Sequence, residues 1–184
     1  TIFNGDPMTC NMKKLMLPDF FQASEVPIVH KFYRNYFKDC YVCGDVDYIF
    51  GPNTAFFDHC EIHSIARVSE GKAYITAAST PAGQEFGLVF SHCRITGEEP
   101  DSVYLGRPWR DCAKTAFICC ELGDHICPEG WQNWGKVRAE VLSDYIEYGN
   151  FGPGADCSGR SPLSRCLVNP EVETYFSKEN VLVG

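Results

Sequence analysis

The chain has 184 residues, of which 45% are hydrophobic and 22% charged, a balance that supports one domain with a core and excludes a disordered chain. Lys and Arg number 16 against 24 Asp and Glu, for a formal charge of −8, a sign that argues against general nucleic-acid or anionic-membrane binding. No apolar run approaches the roughly 20 residues of a membrane-spanning helix. The start, Thr1-Ile2-Phe3-Asn4-Gly5, has neither an initiator Met nor a basic segment leading into an apolar one, so the sequence reads as a processed chain or a piece of a longer one.

In chain order, the first pattern is a weak helical one around Met12 to Leu15. The second is stronger. Phe-x-x-Cys-x-aliphatic occurs at 37–42, 57–62, 90–95 and 117–122, and Gly44, Gly97 and Gly123 follow three of the four copies. In a strand, the Cys and the aliphatic residue two positions later share one face. A constant short strand at variable spacing predicts an all-β solenoid, a parallel β-helix with loops of unequal length. Successive coils would lie about 4.8 Å apart, stacking Cys40, Cys60, Cys93 and Cys120 as an interior ladder. An antiparallel sandwich is the competing architecture. It ranks second because the Asn-Gly and Asp-Gly hairpin turns it favours are missing between the repeats. The Gly- and Pro-rich stretches at 152–154 and 158–162 read as terminal loops.

The 11 Cys are an odd number, so at least one thiol is unpaired within the chain. Cys40-x-x-Cys43, with His59, Cys60 and His63 nearby, raises the question of zinc. The expectation is no metal, because no second CxxC follows at finger-like spacing and Cys40 and Cys43 fall on opposite faces of a strand.

Three segments carry candidate chemistry. In Gly44-Asp45-Val46-Asp47-Tyr48-Ile49-Phe50-Gly51, Asp45 and Asp47 at i, i+2 are expected on one strand face, where two close carboxylates suit a nucleophile or an acid/base pair. Taken alone, these eight residues fit a capped turn better. Tyr104-Leu105-Gly106-Arg107-Pro108-Trp109-Arg110 reads as a rigid turn. It displays a guanidinium for carboxylates and an indole for sugar rings, or it is a surface turn with a cation–π contact. Pro128-Glu129-Gly130-Trp131-Gln132-Asn133-Trp134-Gly135 places two Trp in a Gly-rich loop, either as a carbohydrate surface or as an apolar plug.

Together these segments resemble the pectin methylesterase (pectinesterase) family. Asp45-Val46-Asp47-Tyr48-Ile49-Phe50-Gly51 is similar to its nucleophile motif, and Tyr104-Leu105-Gly106-Arg107-Pro108-Trp109 to its arginine–tryptophan motif. Gly130-Trp131 with Trp134, and Tyr148 followed by Gly152-Pro153-Gly154-Ala155, match later landmarks in order. The resemblance runs from about Phe37 to the end. It implies a right-handed parallel β-helix of which this chain is the C-terminal part, lacking the N-terminal coils. It also implies a secreted or cell-envelope protein, acting without cofactor as a monomer, with methyl-esterified homogalacturonan as partner and neither nucleic acid nor membrane.

The same resemblance assigns roles. Asp47 would attack the methyl ester of a galacturonate and form an acyl-enzyme, and Arg107 would orient it. Trp109 and Phe50 would pack against sugar rings, with Trp131 and Trp134 as further substrate-binding candidates. A second Asp would exchange the proton with methanol and water, and a Gln would stabilise the oxyanion. The family's Gln-Asp-Thr triplet is absent. The nearest equivalent is Leu17-Pro18-Asp19-Phe20-Phe21, which puts Asp19 in the acid/base role and Pro18 in the place of Gln. Two alternatives therefore stand beside an active esterase. One is an impaired homologue that binds pectin without turnover. The other is an unrelated carbohydrate-binding β-helix such as a lyase relative, ranked last because Asp45 and Asp47 are too few for calcium.

Overall fold

A computed structural model describes residues 2–4, 15–16, 34–67 and 70–183. The strands follow the sequence as successive coils. They are β1 (Ile2–Asn4), β2 (Leu15–Met16), β3 (Arg34–Lys38), β4 (Tyr41–Gly44), β5 (Val46–Gly51), β6 (Thr54–Asp58), β7 (Glu61–Ser64), β8 (Ala73–Ala78), β9 (Leu88–Ser91), β10 (Arg94–Gly97), β11 (Val103–Pro108), β12 (Lys114–Ile118) and β13 (Glu121–Leu122). After a short helix α1 (Ala139–Leu142) come β14 (Asp144–Tyr148), β15 (Ser164–Leu167), α2 (Glu171–Tyr175) and α3 (Lys178–Val183).

From β3 to β13, every third strand returns to the same sheet. The first sheet runs β1-β3-β6-β9-β12-β14-β15, the second β4-β7-β10-β13 and the third β2-β5-β8-β11. The strand pairs of all three are parallel. This is a parallel β-helix, and the antiparallel sandwich is excluded. Leu15 and Met16 pair with Ile49 and Phe50 as a strand rather than ending a helix; residues 12–14 lie outside the described set.

The repeat is the core. Phe37, Phe57, Phe90 and Phe117 are register partners on adjacent coils. Their rings stack at 4.6, 4.6 and 4.5 Å, nearly parallel, and each such pair adds about 0.5–1.5 kcal/mol beyond area burial. Val42, Ile62, Ile95 and Leu122 form a parallel column. Cys60, Cys93 and Cys120 are buried thiols that donate to the carbonyls of Phe37, Phe57 and Phe90 on the preceding coil at 3.5, 3.4 and 3.5 Å. Cys40 is half-buried and packs against the same core. The ladder is therefore a row of S–H donors between coils, not a set of disulfides. The disulfide described joins Cys157 and Cys166.

Two of the glycines that follow the repeat have a packing reason. A Cβ on Gly97 would lie 2.4 Å from the His125 ring, and one on Gly123 would lie 2.7 Å from it, so only Gly lets this buried imidazole lie against the second sheet. A second apolar cluster, including Phe56, Val89, Ile118, Val172 and Val181, covers the other face of the first sheet with α2 and α3.

Candidate active site

The site forms on the third sheet, where β5, β8 and β11 lie side by side. Asp47 has φ +49°, and the β5–β8 register shifts between Val46 and Ile49. This is a β-bulge at a residue type that tolerates the left-handed region. The bulge sends both Tyr48 and Ile49 into the core and breaks the simple alternation predicted for the Asp pair. Asp45 spends an oxygen on the Val46 N–H at 2.8 Å. Asp47 instead meets Arg107 of β11. Arg107 Nε donates to Oδ1 at 2.9 Å and Nη2 to Oδ2 at 2.7 Å, with both side chains 16% exposed.

The guanidinium is held on both faces. Arg107 lies 3.8 Å from the centre of the Tyr74 ring and 3.7 Å from that of Trp134, which fixes its plane and leaves its edge for the carboxylate. Ala77 separates Phe50 from Arg107 across the sheet. Gly106 is needed here, since a Cβ on it would lie 2.1 Å from Thr76 Oγ1. Phe50 and Trp109 meet edge to face at 5.6 Å, and both keep part of their surface open. Lys136 donates to the Pro108 carbonyl at 2.9 Å and sits 4.4 Å over Trp134. Burial, then the Arg110 charge, pushes its ammonium below the usual lysine range.

The structure thus brings Asp47, Arg107, Trp109, Phe50 and Trp134 together. Trp131 is a correction. It is 2% exposed, stacks on Tyr145 at 4.2 Å, and donates its indole N–H to Glu147 Oε1 at 2.9 Å. With its ring in the core and its one donor satisfied, it has no face for a sugar. Asp19 and Pro18 lie outside the described residues. Tyr74 and Lys136 were missed by the sequence reading. Tyr74 had a signal, because it alternates with core residues in β8 and pairs with Tyr104; Lys136 had none. Of the zinc candidates, Cys60 faces the core, His59 pairs with Asp58 at 2.6 Å and His63 with Thr96 at 2.8 Å.

The sequence model of the Pectinesterase family matches residues 22–182. The chain belongs to the pectinesterase family. Pectinesterase 31 of Arabidopsis thaliana is 40% identical over 140 residues, which cover 75% of this chain and 43% of that protein. Carrot pectin methylesterase superposes with a TM-score of 0.75 at 30% identity, over 82% of this chain and 50% of that one. A pectin methylesterase in complex with a hexasaccharide gives 0.68 at 29%, over 81% and 51%. The chain spans 36–43% of the length of the first curated pectinesterases it matches.

Proposed function

We propose that this pectinesterase-family chain acts in hydrolysing the methyl esters of galacturonate units in pectin, with Asp47 as nucleophile. One observation carries the reading: a two-point Asp47–Arg107 pair with Trp134 over the guanidinium and the edge-to-face Phe50–Trp109 pair beside it. An Asp47 oxygen adds to the ester carbonyl, and the tetrahedral species collapses by breaking the bond to methoxide. Methanol leaves with a proton from an acid, the role given to Asp19. Water then attacks the anhydride and returns that proton, freeing the galacturonate acid and Asp47. Arg107 orients the carboxylate through both steps, and the open faces of Phe50 and Trp109 suit sugar rings. Pectin is the proposed partner, bound by a monomer outside the cell. The Cys157–Cys166 disulfide suits an oxidising compartment, and among the described residues no helix is long and apolar enough to cross a membrane.

One sequence feature favours a second reading, binding with impaired turnover. Pro18 has no side-chain donor where the family places a Gln, and losing one oxyanion donor costs about 10²–10³-fold in rate. Methanol release from methyl-esterified pectin decides. Release that disappears in Asp47→Asn supports the esterase reading. Saturable pectin binding without release supports the second, and release unaffected by Asp47→Asn overturns the assignment of the nucleophile.

A further inference from the structure

The parallel coils build a second constellation on a different side of the solenoid, at the turn that joins the first sheet to the second. One residue per coil takes a left-handed conformation there: Asp39, His59, His92 and Cys119, with φ of 52°, 52°, 53° and 54°. Their amides bond to the next coil, His59 N to Ser91 O, His92 N to Ile118 O and Cys119 N to Tyr148 O, at 3.0, 3.0 and 2.7 Å. Side chains leaving this ladder are therefore stacked at the coil spacing. His59 and His92 lie ring on ring at 5.2 Å, and Cys119 follows. Against that pair, α2 sets Glu173. A His92 ring nitrogen, Cys119 Sγ and a Glu173 carboxylate oxygen all lie within 4.8 Å of one another, and Nε2 is 3.8 Å from Glu173 Oε1.

We propose that His92, Cys119 and Glu173 form a surface site for one Zn²⁺ that clips α2 to the coils. The donor set is one imidazole nitrogen, one thiolate sulfur and one carboxylate oxygen, all ordinary zinc ligands. Thiolate and carboxylate together balance the charge of the ion. A tetrahedral zinc with ligands at about 2.0–2.3 Å sets its donors roughly 3.3–3.7 Å apart. Donors within 4.8 Å of one another therefore close onto the ion with shifts of a few tenths of an ångström to about an ångström. The imidazole is already oriented: His92 Nδ1 shares a 2.9 Å hydrogen bond with Ser91 Oγ, leaving Nε2 for the metal, and the His59 ring covers its face. Three protein ligands leave the fourth position to water. On binding, the Cys119 S–H bond breaks, the sulfur bonds the metal and the proton goes to buffer. The backbone of the two coils and the packing of Val172 in the second apolar cluster hold the three ligands in place without the ion.

Calorimetric titration with Zn²⁺ of metal-stripped protein, its Cys157–Cys166 disulfide intact and Cys119 a free thiol, tests this, with Co²⁺ as a spectroscopic probe. The expected result is one equivalent bound per chain, with thiolate-to-cobalt charge-transfer absorption and a thermal midpoint that rises with zinc. His92→Ala and Glu173→Gln should weaken binding at least tenfold. Cys119→Ser should abolish the charge-transfer band while keeping the circular dichroism of the fold, and His63→Ala should bind as the parent does. No saturable binding, or Cys119→Ser binding zinc as tightly as the parent, overturns the proposal.

Discussion

Phe117 and Glu147 are register partners on adjacent coils, so the column of stacked phenyl rings ends on a buried carboxylate. Glu147 is 2% exposed. Arg160 closes on it with Nε to Oε1 at 2.9 Å and Nη2 to Oε2 at 3.0 Å, and Trp131 supplies the third donor. The same guanidinium donates to the carbonyls of Pro128 at 3.0 Å and Gly154 at 2.6 Å. A charged cap thus seals the open end of an apolar stack and gathers the two loops that cross it, beside the Cys157–Cys166 disulfide.

Removing one partner of this cap leaves a buried charge alone. Arg160→Met is expected to lower unfolding free energy by about 3–5 kcal/mol in denaturant melts. The joint change Glu147→Leu with Arg160→Leu is expected to cost less than Arg160→Met, because no ion is stranded. A double variant as unstable as the single one would show that the backbone carbonyl contacts of Arg160, not the ion pair, dominate.

At the candidate active site, Arg107→Lys keeps the charge but loses the planar fork and the sandwich between Tyr74 and Trp134. On the esterase reading, kcat for methanol release falls roughly 10²-fold or more, while KM changes little, because the lost contact orients the nucleophile rather than the sugar. A rise in KM at unchanged kcat would instead place Arg107 in substrate binding.

Much of this was legible in the sequence for a specific reason. A solenoid repeats its interior, so Phe37, Phe57, Phe90 and Phe117 announce both the coil and its register. The Asp47–Arg107 contact follows from stacking, sixty residues apart. The bulge at Asp47 was not legible, because a period-two pattern carries no mark of one inserted residue. Trp131 misled for a related reason. A Trp in a Gly-rich loop looks exposed until a buried Glu147, 16 residues on, supplies its partner. Neither the sequence nor the spacing pointed to Arg160 as that carboxylate's counter-ion.

The ladder thiols are expected to be slow to alkylate. Hydrogen bonding to Cys93 and burial push the Cys60 thiol up, and burial, with Cys120 next to it, does the same to Cys93. The thiolate is the reactive form. Among the described thiols, labelling of native protein followed by mass spectrometry should modify half-buried Cys43 and Cys112 first, with Cys60, Cys93 and Cys120 reacting only after denaturation. Native-state labelling of Cys93 at the rate of Cys112 would show that the coils open.

His125 gives the fold a pH dependence. It is 1% exposed, and neither ring nitrogen has a hydrogen-bond partner. Burial drives its pKa down to about 4 from 6.5, with His63 adding to the effect and Asp124 opposing it. Between those values the unfolded chain binds a proton that the folded one rejects. Stability is therefore full above pH 6.5, falls as the pH drops towards about 4, and gains no further loss from this residue below that. Melting midpoints measured across this range should show the fall, and His125→Phe should flatten it if the ring is accommodated. His125→Gln, which carries no titratable group, provides the same comparison where Phe proves too large. An unchanged slope in both variants would move the effect to another group.

Charge around the cleft sets the last expectation. The chain carries −8 overall, and on the esterase reading Asp47 stands at the reacting position, so its carboxylate repels a free galacturonate there but not a neutral methyl ester. Beside it, Arg110 and Lys136 line a pocket with Trp109, Ser79, Thr80 and Asp111. Asp111 is drawn towards Arg138 at 3.5 Å, which leaves that pocket net cationic. Screening confines its reach to about 8–10 Å at ordinary salt, the scale of one neighbouring sugar. An oligogalacturonide with a methyl ester at the reacting unit and a free carboxylate at the unit over Trp109 should therefore bind more tightly than either the fully esterified or the fully de-esterified oligomer. The preference should shrink at high salt. Lys136→Ala should lose the advantage of the mixed oligomer over the fully esterified one, without weakening the latter. Calorimetric titrations at low and high ionic strength measure all three ligands, and tightest binding by the fully de-esterified oligomer at low salt would sink the idea.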